Sequence, residues 1–302
     1  LVLGPAGLGV TGIFTGTADL FGSMLSAQGG GTDVFVALLD TATGAAQWVR
    51  SMGGPLYTDT PGGITATSSG DIVVVGKFKG SAIFGTDTLH SAFDPWTMAL
   101  GFDAFIASWS ATGVFQWVQQ GSGPHDDEAV DVVSDPNDML YVTGQFSDTI
   151  TFDAVHPNIS LNSMFVVKFD ALGNEQWFRK CGGSTFNHIS DLRWSSANDL
   201  LMTGDVANTM FWVASSATAI PNTYPNAYFI LRVDAAGNLI RAQTMGSDSP
   251  VHAVSITEQA DSVVVYGEFQ CSFTGLQTAY NASGLFMATG LKDLFIAKHR
   301  SA

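Results

Sequence analysis

Val74-Val75-Gly76-Lys77-Phe78 is one of five versions of a single phrase. The others are Val10-Thr11-Gly12-Ile13-Phe14, Val142-Thr143-Gly144-Gln145-Phe146, Met202-Thr203-Gly204-Asp205-Val206 and Val265-Tyr266-Gly267-Glu268-Phe269. A second phrase interleaves with it as Asp33-Val34-Phe35, Asp103-Ala104-Phe105, Ser163-Met164-Phe165, Ala227-Tyr228-Phe229 and Asp293-Leu294-Phe295. Both return every 60 to 70 residues. A fixed period of this size signals stacked modules, each unable to bury its apolar faces alone.

The second unit shows what one module is. Ile64 to Ser68 reads as a short strand, Ser69-Gly70 as a turn, and Asp71 to Phe78 as a second strand ending in the glycine phrase. A long excursion leads to a third strand, Asp103 to Ser110. Thr112-Gly113 turns the chain into a fourth, Val114 to Gln119, which carries Trp117. Tight turns between apolar runs describe a twisted antiparallel sheet of four strands. The third-to-fourth turn recurs as Thr43-Gly44, Gly173-Asn174 and Gly237-Asn238, where Gly and Asn tolerate positive φ. Trp48, Trp117 and Trp177 hold matching fourth-strand positions, with Arg241 in their place in the fourth unit. These tryptophans, and the third-strand phenylalanines, are expected to pack between adjacent sheets.

Four-stranded sheets repeated around a ring make a β-propeller, and five fit this chain. The expected fold is an all-β, five-bladed β-propeller forming one domain over 1–302. Its repeats fall near 1–54, 55–121, 122–183, 184–246 and 247–302. The first three strands occur five times and the fourth only four, so the last blade is expected to lack its outer strand. An open outer edge invites strand addition by an upstream segment or a neighbouring subunit. A three-stranded final blade accounts for the same count.

Composition agrees with the all-β reading. The 302 residues include 33 Gly, 21 Phe and only 12 Lys plus Arg, with 46% hydrophobic residues. No apolar run approaches the ~18 residues of a membrane-spanning helix. The net charge of −15 argues against nucleic acid, whose phosphates require clustered Lys and Arg. The chain opens on Leu1, within a repeat and without a signal peptide, and reads as a processed or excised piece of a longer product.

The order Asp-x-Phe-x-Ala-x-x-Asp, then Gly-Asn and Trp, then Gly-Gly, then Tyr-Val-Thr-Gly resembles the SBBP-type β-propeller repeat of bacterial secreted and surface proteins. It stands best as Asp33–Asp40 with Trp48 and Gly53-Gly54. It recurs as Phe165–Asp170, Gly173-Asn174, Trp177 and Gly182-Gly183, and as Tyr141-Val142-Thr143-Gly144. The resemblance covers nearly the whole chain and is weakest in the fourth unit. It implies the propeller fold and an extracellular or particle-surface setting, and it brings no catalytic residues.

Candidate sites fall on the connections. The long excursions Thr15–Thr32, Lys79–Phe102, Ser147–Asn162, Ala207–Asn226 and Gln270–Lys292 read as loops of one face, where binding usually resides. Exposed aromatics there, Trp96, Phe211, Trp212, Tyr224 and Tyr280, are the cue for glycan binding. His125-Asp126-Asp127-Glu128 allows a calcium-like or other divalent cation site, or simply a solvated acidic loop. His188 and His252 occupy similar inter-blade positions to His125, and the three together are a candidate transition-metal set. A glycosidase would need two carboxylates roughly 5–10 Å apart. Asp131 or Asp135 with Asp191 are the inner-strand candidates, and turn or hydrogen-bonding roles are the plainer account of them. Cys181 and Cys271 fall on different parts of the repeat and read as free thiols. Asn158-Ile159-Ser160 and Asn281-Ala282-Ser283 are glycosylation sequons.

The function expected from these features is a non-enzymatic, secreted or surface-displayed structural or adhesive module. Its partners would be proteins or neighbouring subunits, held through the loop face and the open blade edge, without nucleic acid or membrane insertion. A carbohydrate-binding propeller is the second reading and a hydrolase using Asp131 and Asp191 the third.

Overall fold

A computed structural model describes residues 1–157, 163–183, 187–214, 216–222, 224–247, 250–259, 262–270 and 293–300. Asn158, Cys271, Tyr280 and Asn281 lie outside the described residues. The described residues are strands and turns, without a helix. They divide into two compact units, Leu1–Ile159 with Val167–Gln176, and Ser160–Val166 with Trp177–Ala302.

In the first unit the chain runs β1 (Val2–Gly4), β2 (Gly7–Phe14), a hairpin β3 (Thr17–Leu20) and β4 (Ser23–Ser26), then β5 (Asp33–Leu39) and β6 (Ala46–Gly53). The blade is β1-β2-β5-β6, antiparallel throughout. The second blade repeats this plan. It has β7 (Thr60–Ala66), β8 (Ile72–Lys79), hairpins β9 (Ser81–Phe84) with β10 (Asp87–His90) and β11 (Phe93–Asp94) with β12 (Ala99–Leu100), then β13 (Phe102–Trp109) and β14 (Phe115–Gly121). Its order is β7-β8-β13-β14. The third opens with β15 (Glu128–Ser134) paired to β16 (Leu140–Phe146), followed by the hairpin β17 (Thr149–Thr151) and β18 (Val155–Pro157).

β19 (Ser163–Phe169) and β20 (Glu175–Gly183) carry the chain between the units. In the second unit β21 (Asn187–Trp194), β22 (Asp199–Val206), a hairpin β23 (Met210–Val213) and β24 (Ala217–Ile220), β25 (Asn226–Asp234) and β26 (Leu239–Ser247) give the fourth blade, β21-β22-β25-β26. β27 (Val251–Gln259), β28 (Ser262–Phe269) and β29 (Asp293–Arg300) form the fifth, three-stranded among the described residues. The fold is all-β and of the propeller type expected from the repeat.

The third strand is apolar on both faces because it is covered on both. Every residue of β5 is buried, and Phe35, Ala37 and Leu39 alternate with Val34, Val36 and Leu38. Val34, Val36 and Leu38 pack against Ile72, Val74, Phe78, Phe84 and Phe105, making the core between the first two blades. The same arrangement places Leu201, Tyr228 and Ile230 against Val251, Val265 and Phe269 in the second unit.

The turn chemistry differs in one detail from the sequence reading. Gly44, Gly113, Gly173 and Gly237 take the left-handed conformation, with φ between 71° and 84°. Asn174 and Asn238 do not. Their side chains donate to Asp170 and Asp234, whose Oδ1 atoms also accept the amides of Asn174 and Asn238. This is the reason for the Asp that closes the third-strand phrase: its carboxylate caps the turn.

The excursions after β8, β16 and β22 are not free loops. β9 adds to the outer strand of the preceding blade through Met52↔Phe84 and Gly53↔Ile83. β23 adds to β20 through Lys180↔Val213 to Gly183↔Met210, and Thr151 bridges Ser122. Each such hairpin ties its blade to the one before it.

Candidate functional site

The β11–β12 hairpin turns back through Asp94-Pro95-Trp96-Thr97-Met98. Asp94 is buried, and its Oδ1 accepts the amides of Trp96 at 2.7 Å and Thr97 at 3.3 Å. It also meets His125 Nδ1 at 2.9 Å. Burial opposes the charge on Asp94, but the Trp96 amide, the His125 ring and the Thr97 donors outweigh it. They hold the carboxyl below the ordinary carboxylate range. His125 is therefore fixed against an anion, and its ring supports the indole of Trp96, with centroids 3.2 Å apart at 26°. The indole is 63% exposed. Phe93 and Met98 are exposed beside it in the chain, and Met98 holds a positive φ of 53°. For a non-glycine residue that backbone is strained, which marks a tip held in shape by its anchors. A buried Asp–His pair thus supports a rigid apolar point in solvent.

The acidic loop following His125 is spent on structure. Asp126 Oδ1 accepts the Phe102 amide at 2.9 Å, and Glu128 pairs with Lys77 at 2.6 Å. Asp127 is buried, with Oδ2 lacking a hydrogen-bond partner, and burial, followed by the charge of Asp103, pushes it up to about 9. In the second unit His252 Nδ1 meets Asp205 Oδ2 at 2.7 Å, and His188 Nδ1 meets Ser190 Oγ at 3.2 Å. Among the described residues no three His, Cys, Asp or Glu side chains converge as a metal would require.

The carboxylates considered for hydrolysis are also engaged. Asp191 Oδ2 accepts Ser255 Oγ at 2.6 Å and the Ile256 amide at 2.8 Å, while Oδ1 accepts the Leu192 amide and faces Arg193. It clamps the first strand of the fifth blade to that of the fourth. Asp131 sits at a bulge in β15, and its Oδ1 accepts the Val132 amide. Asp135 accepts the Asn137 and Met139 amides and the Tyr141 hydroxyl.

Of the loop aromatics among the described residues, Trp96 and Phe211 are exposed, at 63% and 37%. Trp212 is a correction: it is 1% exposed, and its Nε1 donates to Gly237 O. It takes the place of Phe84 and Phe152 in the tie-back hairpins, eight residues after the phrase glycine in each case. That spacing was the available signal. Tyr224 is half-buried and lies over Gly246, whose missing side chain makes room for the ring. Cys181 is buried, and its thiol is pushed up by desolvation.

The sequence reading passed over one recurrent feature. Asp33, at the start of β5, faces Asp59 across Gly53: a Cβ there would stand 2.7 Å from Asp33 Oδ1 and 2.9 Å from Asp59 Oδ2. Asp103 and Asp127 occupy the same places at the next blade junction, and Ser163 and Asn187 at the equivalent junction in the second unit. Burial, with Asp33 adding repulsion, pushes Asp59 up to about 7 even though the Lys79 and Gly54 amides donate to it.

No protein-family model matches the chain. Over an alignment of 170 positions that covers 49% of the chain, it is 25% identical to an uncharacterized WD repeat-containing protein of Acanthamoeba polyphaga mimivirus, of which it spans 12%. A crystal structure of a protein of unknown function from Bacteroides caccae is similar at a TM-score of 0.32 and 8% identity, over 84% of this chain and 82% of that one. The similarity to a WD repeat-containing protein agrees with the propeller-type fold.

Proposed function

We propose that this chain is a non-enzymatic, secreted or surface-displayed propeller that binds another protein through the β11–β12 tip. It serves there as a structural or adhesive module. The supporting observation is Trp96, a large aromatic ring held in solvent by a buried His125–Asp94 pair, with Phe93 and Met98 beside it. Exposed apolar clusters of this kind mark contact sites, and a pre-ordered aromatic loses little entropy on docking. The resemblance to the SBBP-type repeat supports the extracellular setting. The β29 edge, without a further strand among the described residues, would be a second contact through strand addition by a neighbouring subunit.

A photo-crosslinking residue in place of the exposed Ala99, beside the tip and leaving Trp96 intact, used in the native source, is the test. Capture of one defined protein, lost in Trp96→Ala, is the expected result. A wild-type hit on a glycan array without a protein crosslink favours the second reading, in which the open face of Trp96 stacks on a sugar.

A further inference from the structure

Asp33 and Asp59 are 1% and 2% exposed, and both face Gly53 in the first unit. One point, where a Cβ of Gly53 would stand, lies 2.7 Å from Asp33 Oδ1 and 2.9 Å from Asp59 Oδ2. Asp33 Oδ1 has no hydrogen-bond partner, while Asp33 Oδ2 accepts the Gln28 amide. Asp59 accepts the Gly54 and Lys79 amides. Among the described residues no Lys, Arg or His side chain pairs with either acid. The Lys79 ammonium lies instead over the rings of Tyr57 and Phe102, at 5.6 and 5.1 Å.

Most other buried aspartates have a cationic partner. Asp94 meets His125, Asp205 meets His252, Asp199 meets Arg232 and Asp191 faces Arg193. Buried carboxylates need such pairing, or a metal ion, to offset lost hydration. The blade junction itself does not require two acids, since Ser163 and Asn187 hold the equivalent places about Gly182 in the second unit. At the Asp103–Asp127 junction Ser122 stands where Gly53 does, five residues after the fourth-strand Trp, and its hydroxyl bonds Asp103. Of these three junctions, the first alone sets two carboxylates over a glycine.

We propose that Asp33 Oδ1 and Asp59 Oδ2 coordinate a calcium ion over Gly53. Two carboxylates suit a hard cation, which completes its shell with carbonyl oxygens and water, whereas a transition metal favours His or Cys ligands. Calcium accepts an irregular shell and magnesium demands an octahedral one, so calcium is the better fit. Residues 28–32 and 54–59 run side by side at this place, joined by Gly30 N to Pro55 O at 3.2 Å and Asp59 N to Thr32 O at 2.9 Å. Gly30 is exposed and Gly31 half-buried, which gives the ion a short path from solvent. Asp33 opens β5 and Asp59 precedes β7, so the ion ties the first blade to the second.

Thermal unfolding of the full chain, stripped with chelator, is the test. It is run above pH 7, the value to which Asp59 is raised, at constant ionic strength. Millimolar calcium chloride is expected to raise the melting temperature by about 5 °C, and magnesium chloride by less. Asp33→Asn and Asp59→Asn are expected to fold and to lose the response to calcium. Asp33→Ser, the residue of the equivalent junction, replaces Asp33→Asn if the latter does not fold. Asp126→Asn, in the acidic loop after His125, is expected to keep the response. A wild type indifferent to calcium overturns the proposal. So does an equal response to magnesium, and so does a calcium response that survives in the Asp33 and Asp59 variants or is lost in Asp126→Asn.

Discussion

The indole Nε1 of Trp48 donates to the carbonyl of Ala111 at 3.0 Å, across 63 residues of sequence. Trp117 does the same to Ala171 at 3.1 Å and Trp177 to Ala235 at 3.1 Å. Each fourth-strand Trp thus clasps the third-to-fourth turn of the following blade. Arg50 and Arg179 reinforce it by donating to Gly113 O and Gly237 O. The fourth blade has Arg241 at this position, and the described part of the fifth has no such turn for it to clasp.

Trp48 is buried and hydrogen-bonded, so its two contributions separate by substitution. Trp48→Phe is expected to cost about 1 kcal/mol, the net worth of the lost hydrogen bond. Trp48→Ala is expected to cost about 3–5 kcal/mol, since it also opens a cavity between blades. Chemical denaturation of the two variants measures both. Equal losses would show that the hydrogen bond, and not the packing, holds the junction.

The turn beneath that indole needs glycine twice over. Gly113 has φ 76°, and a Cβ there would stand 2.6 Å from the Trp48 ring. Gly113→Ala is expected to destabilise by about 1–3 kcal/mol through backbone strain and displacement of the indole. Trp48 fluorescence is expected to shift with it. An unchanged melting temperature would remove this account.

The junction acids give stability an unusual slope with pH. Asp59 at about 7 and Asp127 at about 9 hold protons in the folded chain that the unfolded chain releases near 4. The folded state therefore binds more protons between those values, and stability falls as pH rises through them. The melting temperature is expected to fall by roughly 5–10 °C from pH 5 to pH 9. Asp127→Asn, which mimics the neutral acid, is expected to flatten the upper part of that fall and Asp59→Asn the lower part. A melting temperature that rises over this range contradicts the raised values.

Asp191 bonds the fifth blade to the fourth through Ser255 and the Ile256 amide. Asp191→Ala leaves that buried amide without its acceptor and is expected to cost about 2–4 kcal/mol. Amide hydrogen exchange is expected to quicken at Ile256 and its strand before it does so elsewhere. Local exchange at the wild-type rate would mean that the clamp carries no load.

The sequence alone determined the number of modules, the four-strand plan of the first four with three strands in the last, and the inter-blade place of Trp48, Trp117 and Trp177. These follow from local periodicity and turn chemistry, which a single strand or hairpin expresses by itself. It also contained the position of Trp212, through its constant distance from the phrase glycine. Tertiary structure alone decided that the excursions after β8, β16 and β22 fold back as hairpins on the preceding blade, that Asp94 and His125 meet beneath Trp96, and that Asp33 confronts Asp59 across Gly53. Those contacts join residues brought together only by neighbouring blades, and burial, not residue type, sets the chemistry of the side chains concerned.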